Sequence, residues 1–200
     1  MTFERLRPWS RIIVNPLVDF LEDSSITPNQ ISFIGLIIAF LAGFSFYTGE
    51  RGYLAGIILI AISGMLDLLD GELARKRGDA SNKGDFLDHV LDRYADIAII
   101  GGLAAGVGQY LVGFVAITGV LMTSYVGTQI QAVGSSRKYA GLLVRADRFV
   151  LIVLAVMIHI AIHTTIGPFD VITWVLIIFG IGGHITAMQR FSSAWSEIKN

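Results

Sequence analysis

The 200-residue chain contains no cysteine. Disulfides, thiol catalysis and cysteine-ligated zinc are therefore excluded. Charge is scarce as well: Asp, Glu, Lys and Arg together make up 16%, against about 25% in ordinary soluble domains. Apolar residues reach 54%, and the mean hydropathy is +0.66, so the composition is that of an integral membrane protein. A cleavable signal peptide is not expected, because Met1–Arg11 is too charged and the first long apolar run starts at Ile31. No internal repeat is evident. The net charge of −1 says little about partners, and no nucleic-acid partner is expected.

What is present is a series of six apolar segments, each long enough to cross about 30 Å of hydrocarbon at 1.5 Å per residue. They run Ile31–Tyr47, Tyr53–Ala74, Phe86–Val107, Tyr110–Gln131, Phe149–Ile166 and Val171–Met188. Short loops imply one helical bundle. The first 22 residues differ: Phe3, Leu6, Ile13, Leu17, Phe20 and Leu21 recur near helical spacing, with Arg5, Arg7, Arg11, Asp19 and Glu22 between them. This predicts an amphipathic helix in the cytoplasmic interface, anchored by Trp9. Thr27-Pro28-Asn29 reads as the start signal of the first spanning helix. The expected fold is an all-α integral membrane protein with six transmembrane helices plus an N-terminal cytoplasmic amphipathic helix. Residues 1–24 form the interfacial segment and residues 25–200 the transmembrane catalytic domain. With the N-terminus inside, only Arg51 of the 15 Lys and Arg falls outside. Both termini are then cytoplasmic.

Within this apolar background lies the run Asp67-x2-Asp70-Gly71-x2-Ala74-Arg75-x8-Gly84-x3-Asp88-x3-Asp92. One carboxylate in a bilayer helix costs roughly 2.5–3.5 kcal/mol, so four would cost on the order of 10 kcal/mol without compensation. Folded as a hairpin about Lys76–Lys83, the second and third segments place Asp67 level with Asp92 and Asp70 level with Asp88. The two depths are roughly 13 Å and 8 Å from the loop. The i,i+3 and i,i+4 spacings put both carboxylates of each helix on one face. Four carboxylates in one small volume call for counter-charge, and hard oxygen ligands suit Mg²⁺, Mn²⁺ or Ca²⁺. Two cations would balance the four charges, an arrangement suited to phosphate chemistry. Gly71, Ala74 and Gly84 leave room for a nucleotide to approach the backbone, and Arg75 could meet a diphosphate. The competing readings are salt bridges to Arg75, Lys76, Arg77 and Arg93, a divalent-cation transporter, and a binding protein without turnover.

A second basic concentration follows the fourth segment: Arg137, Lys138, Arg145 and Arg148. It faces the same side as the aspartates and suits an acceptor that carries phosphate. Contact with anionic headgroups is the alternative. His159 and His163, four apart, are read as interface or packing residues. Gly180, Gly182 and Gly183 predict close helix approach.

The aspartate frame resembles the signature of the CDP-alcohol phosphotransferase family at all eight positions, with the same gap lengths. The resemblance implies a membrane enzyme that transfers a phosphatidyl-type group from a CDP-linked lipid, CDP-archaeol or CDP-diacylglycerol, to an alcohol and releases CMP. It implies Mg²⁺ (two ions, with Mn²⁺ possible) held by Asp67, Asp70, Asp88 and Asp92, with Asp92 the catalytic base. Asp67, Gly71, Ala74, Arg75 and Gly84 would line the CDP pocket. Family precedent implies a homodimer. The stretch from Ser124 to Arg148 resembles the branch that makes inositol-phosphate lipids, in which Arg145 and Arg148 would hold the acceptor phosphate. Gly127 and Gln129 depart from the basic residues usual there, and Arg137 or Lys138 could supply the missing charge. The expected acceptor is inositol phosphate; glycerol phosphate or an unphosphorylated alcohol is the alternative.

Overall fold

Long apolar runs interrupted by short turns give helices at almost every described position. The structure, a computed structural model, describes residues 7–134, 145–163 and 165–197. In chain order these form α1 (Arg7–Leu21), α2 (Pro28–Tyr47), a 3₁₀ turn (Gly49–Arg51), α3 (Tyr53–Arg77), α4 (Asn82–Gly106), α5 (Tyr110–Ala132) and α6 (Arg145–Ile162). A two-residue hairpin, β1 (Thr165–Ile166) with β2 (Phe169–Asp170), leads into α7 (Val171–Trp195). The chain divides into two compact units at Ile99 and Ile100, inside α4.

In the first unit α2 begins where the sequence signal places it. Thr27 Oγ1 accepts from the Gln30 amide at 3.3 Å, and Gln30 Oε1 accepts from the Thr27 amide at 2.8 Å. This reciprocal capping box satisfies donors that a helix start leaves open, and Pro28 at the first position lacks one of them anyway. Helices α2 and α3 run antiparallel in close contact. Gly35 sits on Leu66, and Ser63 Oγ donates to the Gly35 carbonyl at 3.1 Å. A methyl group at Gly43 would collide with the Ala98 carbonyl of α4, so glycine is what lets those two helices touch.

Helix α1 packs on α3 through Val14 and Val18, which join Ile31, Leu69 and Leu73 in a small core. Phe20 stays exposed, and Leu17 largely so. The helix thus turns one apolar stripe to protein and leaves another outside. Phe3 and Leu6, and the side chains of Trp9 and Ile13, lie outside the described residues. The last turn of α3 holds the end of α1 and the turn after it in place. Arg77 donates to the carbonyls of Leu21, Glu22 (2.8 Å), Ser24 (2.9 Å) and Ile26 (2.7 Å). Lys76 pairs with Asp19 at 2.6 Å and Glu22 at 2.5 Å. Gly78 then ends α3 in the left-handed region, φ 71°.

In the second unit α5 and α7 meet through glycine. A Cβ on Gly119 would stand 2.6 Å from the Gly180 carbonyl oxygen, and one on Gly183 2.5 Å from the Gly119 carbonyl carbon. This is the close approach expected of Gly180 and Gly183. Helix α6 stops at Ile162, not at the expected Ile166. His163 takes φ 42°, and Gly167 takes φ 63° within the hairpin. Trp174 Nε1 closes it by donating to the Ile166 carbonyl at 2.8 Å.

Four helices, α2, α3, α5 and α7, are long and apolar enough to cross a membrane. The chain is a multi-pass membrane protein. Helices α4 and α6 carry their charges inside the helix: Asp85, Asp88, Asp92, Arg93 and Asp96 in α4, and Arg145, Asp147 and Arg148 in α6.

Candidate active site

The α3–α4 hairpin brings three of the four predicted carboxylates together. Oxygens of Asp67, Asp88 and Asp92 lie within 4.8 Å of one another. Two oxygens bound to the same Ca²⁺ or Mg²⁺ are separated by up to about 4–5 Å, given metal–oxygen distances of about 2.0–2.6 Å. The trio is therefore a candidate site for one hard cation. Asp88 and Asp92 are one turn apart on α4, and Asp67 reaches them from α3.

Asp70 departs from the expected square. It is 6% exposed and is engaged by α2, where Ser32 Oγ donates to its Oδ2 at 2.5 Å. Rise per residue fixes depth along α3 and α4 alone, whereas α2 supplies a third wall. Asp70 and Asp88 both face a cavity of about 390 Å³, whose lining includes Gly71, Ala74, Arg75 and Gly84. That volume lies within the range of small-ligand sites. Asp67, expected beside the nucleotide, is placed in the carboxylate trio.

The glycines of this cavity are not packing glycines. A Cβ on Gly71 would make only ordinary contact with the Arg75 guanidinium, at 3.5 Å, and one on Gly84 with Ser81 Oγ at 3.5 Å. Each added methyl would occupy free volume and meet no backbone. The empty space belongs to whatever enters the cavity.

The basic residues near the frame are engaged mostly elsewhere. Arg75 pairs with Glu72 at 2.9 Å, Lys76 with Asp19 and Glu22, and Arg77 with backbone carbonyls. Arg93 is placed beside a carboxylate of the frame. It lies 3.4 Å from Asp92 and 3.4 Å from Asp96, which is 3% exposed. Arg93 is thus braced between a site carboxylate and a buried one. Asp85 pairs with His89 at 3.7 Å, not with Lys83 or Arg77 as its position at the loop suggests.

Of the second basic group, Arg137 and Lys138 lie outside the described residues. Arg145 and Arg148 form the first turn of α6: Arg145 lies over the Phe149 ring at 5.2 Å, and Arg148 is 7% exposed. Arg190 of α7 donates to the Thr123 carbonyl at 2.8 Å, and a Cβ on Gly127 would stand 2.9 Å from its Nη1. The missing side chain at 127 is thus room for a guanidinium from another helix. Arg148 borders Thr123 as well, across a narrow crevice that includes Thr186. Ser32 and Asn29, which line the cavity, and Arg190 carry no site signal in the sequence pattern beyond the isolation of Arg190, the one Lys or Arg within Val171–Trp195.

Known proteins resemble this chain in both sequence and fold. The archaetidylinositol phosphate synthase of Pyrococcus horikoshii is 34% identical over 175 residues, covering 87% of this chain and 92% of that protein. The archaetidylinositol phosphate synthase of Methanothermobacter thermautotrophicus is 30% identical, over 98% of this chain and 95% of its own length. The phosphatidylinositol phosphate synthase of Cutibacterium acnes is 33% identical, over 91% of each chain. In fold, the chain matches the crystal structure of the Mycobacterium tuberculosis phosphatidylinositol phosphate synthase with CDP-DAG bound. The TM-score is 0.80 at 20% identity, covering 92% of this chain and 94% of that one. The same enzyme in complex with manganese and citrate matches with a TM-score of 0.79 at 20% identity, over 90% of this chain and 88% of that one. The family profile described as CDP-alcohol phosphatidyltransferase covers residues 25–186, and with the carboxylate trio and its glycine-lined cavity in place, this chain belongs to the CDP-alcohol phosphatidyltransferase family.

Proposed function

We propose that this protein makes an inositol-phosphate lipid. A phosphatidyl-type group passes from a CDP-linked lipid, CDP-archaeol or CDP-diacylglycerol, to the hydroxyl of a polyol phosphate, and CMP leaves. The observation that carries the reading is the sharing of Asp88 between the carboxylate trio and the glycine-lined cavity. A cation site and a nucleotide-sized space then have a common wall. The names of the relatives support inositol phosphate as the acceptor.

Asp67, Asp70, Asp88 and Asp92 would hold two divalent ions, Mg²⁺ or Mn²⁺. When bound, such ions neutralise the diphosphate and improve CMP as a leaving group. The residues do the rest. Gly71, Ala74 and Gly84 let the nucleotide lie against the helix backbone, and Arg75 meets the diphosphate. Asp92, held by Arg93, accepts the proton of the acceptor hydroxyl. That oxygen bonds to the lipid-side phosphorus as the bond to CMP breaks. Arg145, Arg148 and Arg190, with Arg137 and Lys138, hold the acceptor phosphate, since guanidinium groups grip phosphate through paired donors.

Such a reaction suits a site near the inner leaflet, with lipid tails in the bilayer and CDP reached from the cytoplasm. We infer six spans, α4 and α6 included, because a helix whose charges face a bundle interior crosses a membrane without exposing them to lipid. Residues 1–24 form the cytoplasmic interfacial segment and residues 25–200 the catalytic domain. The exposed Phe20 and Leu17 of α1 supply the lipid-facing stripe of that segment. The termini are cytoplasmic and the enzyme is a homodimer. The test is CMP release from CDP-lipid with inositol phosphate, glycerol phosphate, inositol, serine or glycerol as acceptor. Release with inositol phosphate alone is expected. Release with glycerol phosphate instead would change the acceptor, and bound CDP-lipid without release in any case would leave a binding protein.

A further inference from the structure

Ser32 is 38 residues from Asp70 in sequence, yet its hydroxyl donates to Asp70 Oδ2 at 2.5 Å. Two features set this register. The capping box begins α2 at Pro28, one turn before Ser32. One turn further along, Gly35 rests on Leu66 and takes the Ser63 hydrogen bond, so α2 and α3 are in contact on the side where Ser32 meets Asp70. The Ser32 hydroxyl also lies 3.2 Å from the Pro28 carbonyl. It has one proton to give, and the nearer acceptor, Asp70 Oδ2, takes it.

The chemistry of this partner matters. A lysine or arginine there would cancel the charge of Asp70 as well as orient it. A hydroxyl engages a carboxylate oxygen and brings no countercharge of its own. Asp70 is 6% exposed, and Ser32 supplies its donor from within the protein. Both Ser32 and Asp70 face the cavity.

We propose that Ser32 is a positioning residue for the metal site: it fixes the rotamer of Asp70 so that the carboxyl group stands oriented to bind a divalent cation. This rests on the reading of Asp70 as a cation ligand. The experiment is Mn²⁺ binding to the full-length protein in nanodiscs, followed by electron paramagnetic resonance without substrate. Ser32→Thr and Ser32→Val have equal bulk and differ by a hydroxyl against a methyl, so any effect of size on folding is common to both. Ser32→Thr is expected to bind Mn²⁺ as the parent protein does. Ser32→Val is expected to bind it roughly tenfold more weakly, the scale of a lost hydrogen bond to a charged group, with altered hyperfine structure. Equal affinity and equal spectra for the two variants would overturn the proposal. Asp70→Asn separates the two ideas: if it loses Mn²⁺ while the Ser32 pair stays equal, only the positioning role fails. If Asp70→Asn also binds Mn²⁺ normally, the reading of Asp70 as a ligand fails first.

Discussion

Replacing Gly71 by alanine separates the needs of the fold from those of the ligand. Gly71 lies within α3, where glycine is about 1 kcal/mol worse than alanine. The added Cβ would meet only the Arg75 guanidinium, at 3.5 Å, an ordinary contact with the end of a flexible side chain. The folded protein should therefore gain up to about 1 kcal/mol, and its melting temperature should hold or rise by a few degrees. The methyl group would at the same time enter the cavity and stand between the α3 backbone and the nucleotide. Losing one charge-assisted contact costs about 1.5–3 kcal/mol, so the KM for CDP-lipid should rise roughly 10- to 100-fold. The assay is CMP release at saturating acceptor with varied donor, beside a thermal melt of the same preparation. A parental KM would show that the nucleotide does not lie on Gly71. A lower melting temperature would show that the glycine serves packing, contrary to the open space around it.

Other expectations follow from the same geometry. Asp92→Asn should lower turnover by about 10²–10⁴-fold, the range of a general base, and still bind CDP-lipid in an equilibrium assay; full activity would remove Asp92 from the proton transfer. Gly183→Ala should destabilise the protein by about 1–3 kcal/mol, read as a lower melting temperature, because its Cβ would lie 2.5 Å from the Gly119 backbone. Arg77→Ala should release the turn at 22–26, whose carbonyls Arg77 caps, and speed proteolysis there with little change in the KM for donor. Arg148→Ala should raise the KM for a phosphorylated acceptor at least tenfold; unchanged kinetics would favour an unphosphorylated alcohol.

Much of this protein was legible before folding was considered. Hydropathy marked the starts of α3, α5 and α7 at Tyr53, Tyr110 and Val171, because an apolar run bounded by glycine or charge admits little else in lipid. Thr27-Pro28 marked the start of α2, since capping chemistry is local. The spacing of Asp67, Asp88 and Asp92 foretold their meeting, because 1.5 Å per residue makes depth in a helical hairpin a matter of counting. The end of α6 was not legible: the apolar run continues to Ile166, but His163 leaves the helical region.

Local rules of rise, capping and hydropathy thus sufficed to establish a helical membrane chain with an acidic hairpin, since each acts within a few residues. What they could not reach were contacts between segments far apart in sequence. That Asp70 turns to Ser32, that Arg190 fills the space left by Gly127, and that Arg77 is occupied by the chain before α2 each depend on the packing of one helix against another. Such neighbours are chosen by shape across a helix interface, which no periodicity within a single segment encodes.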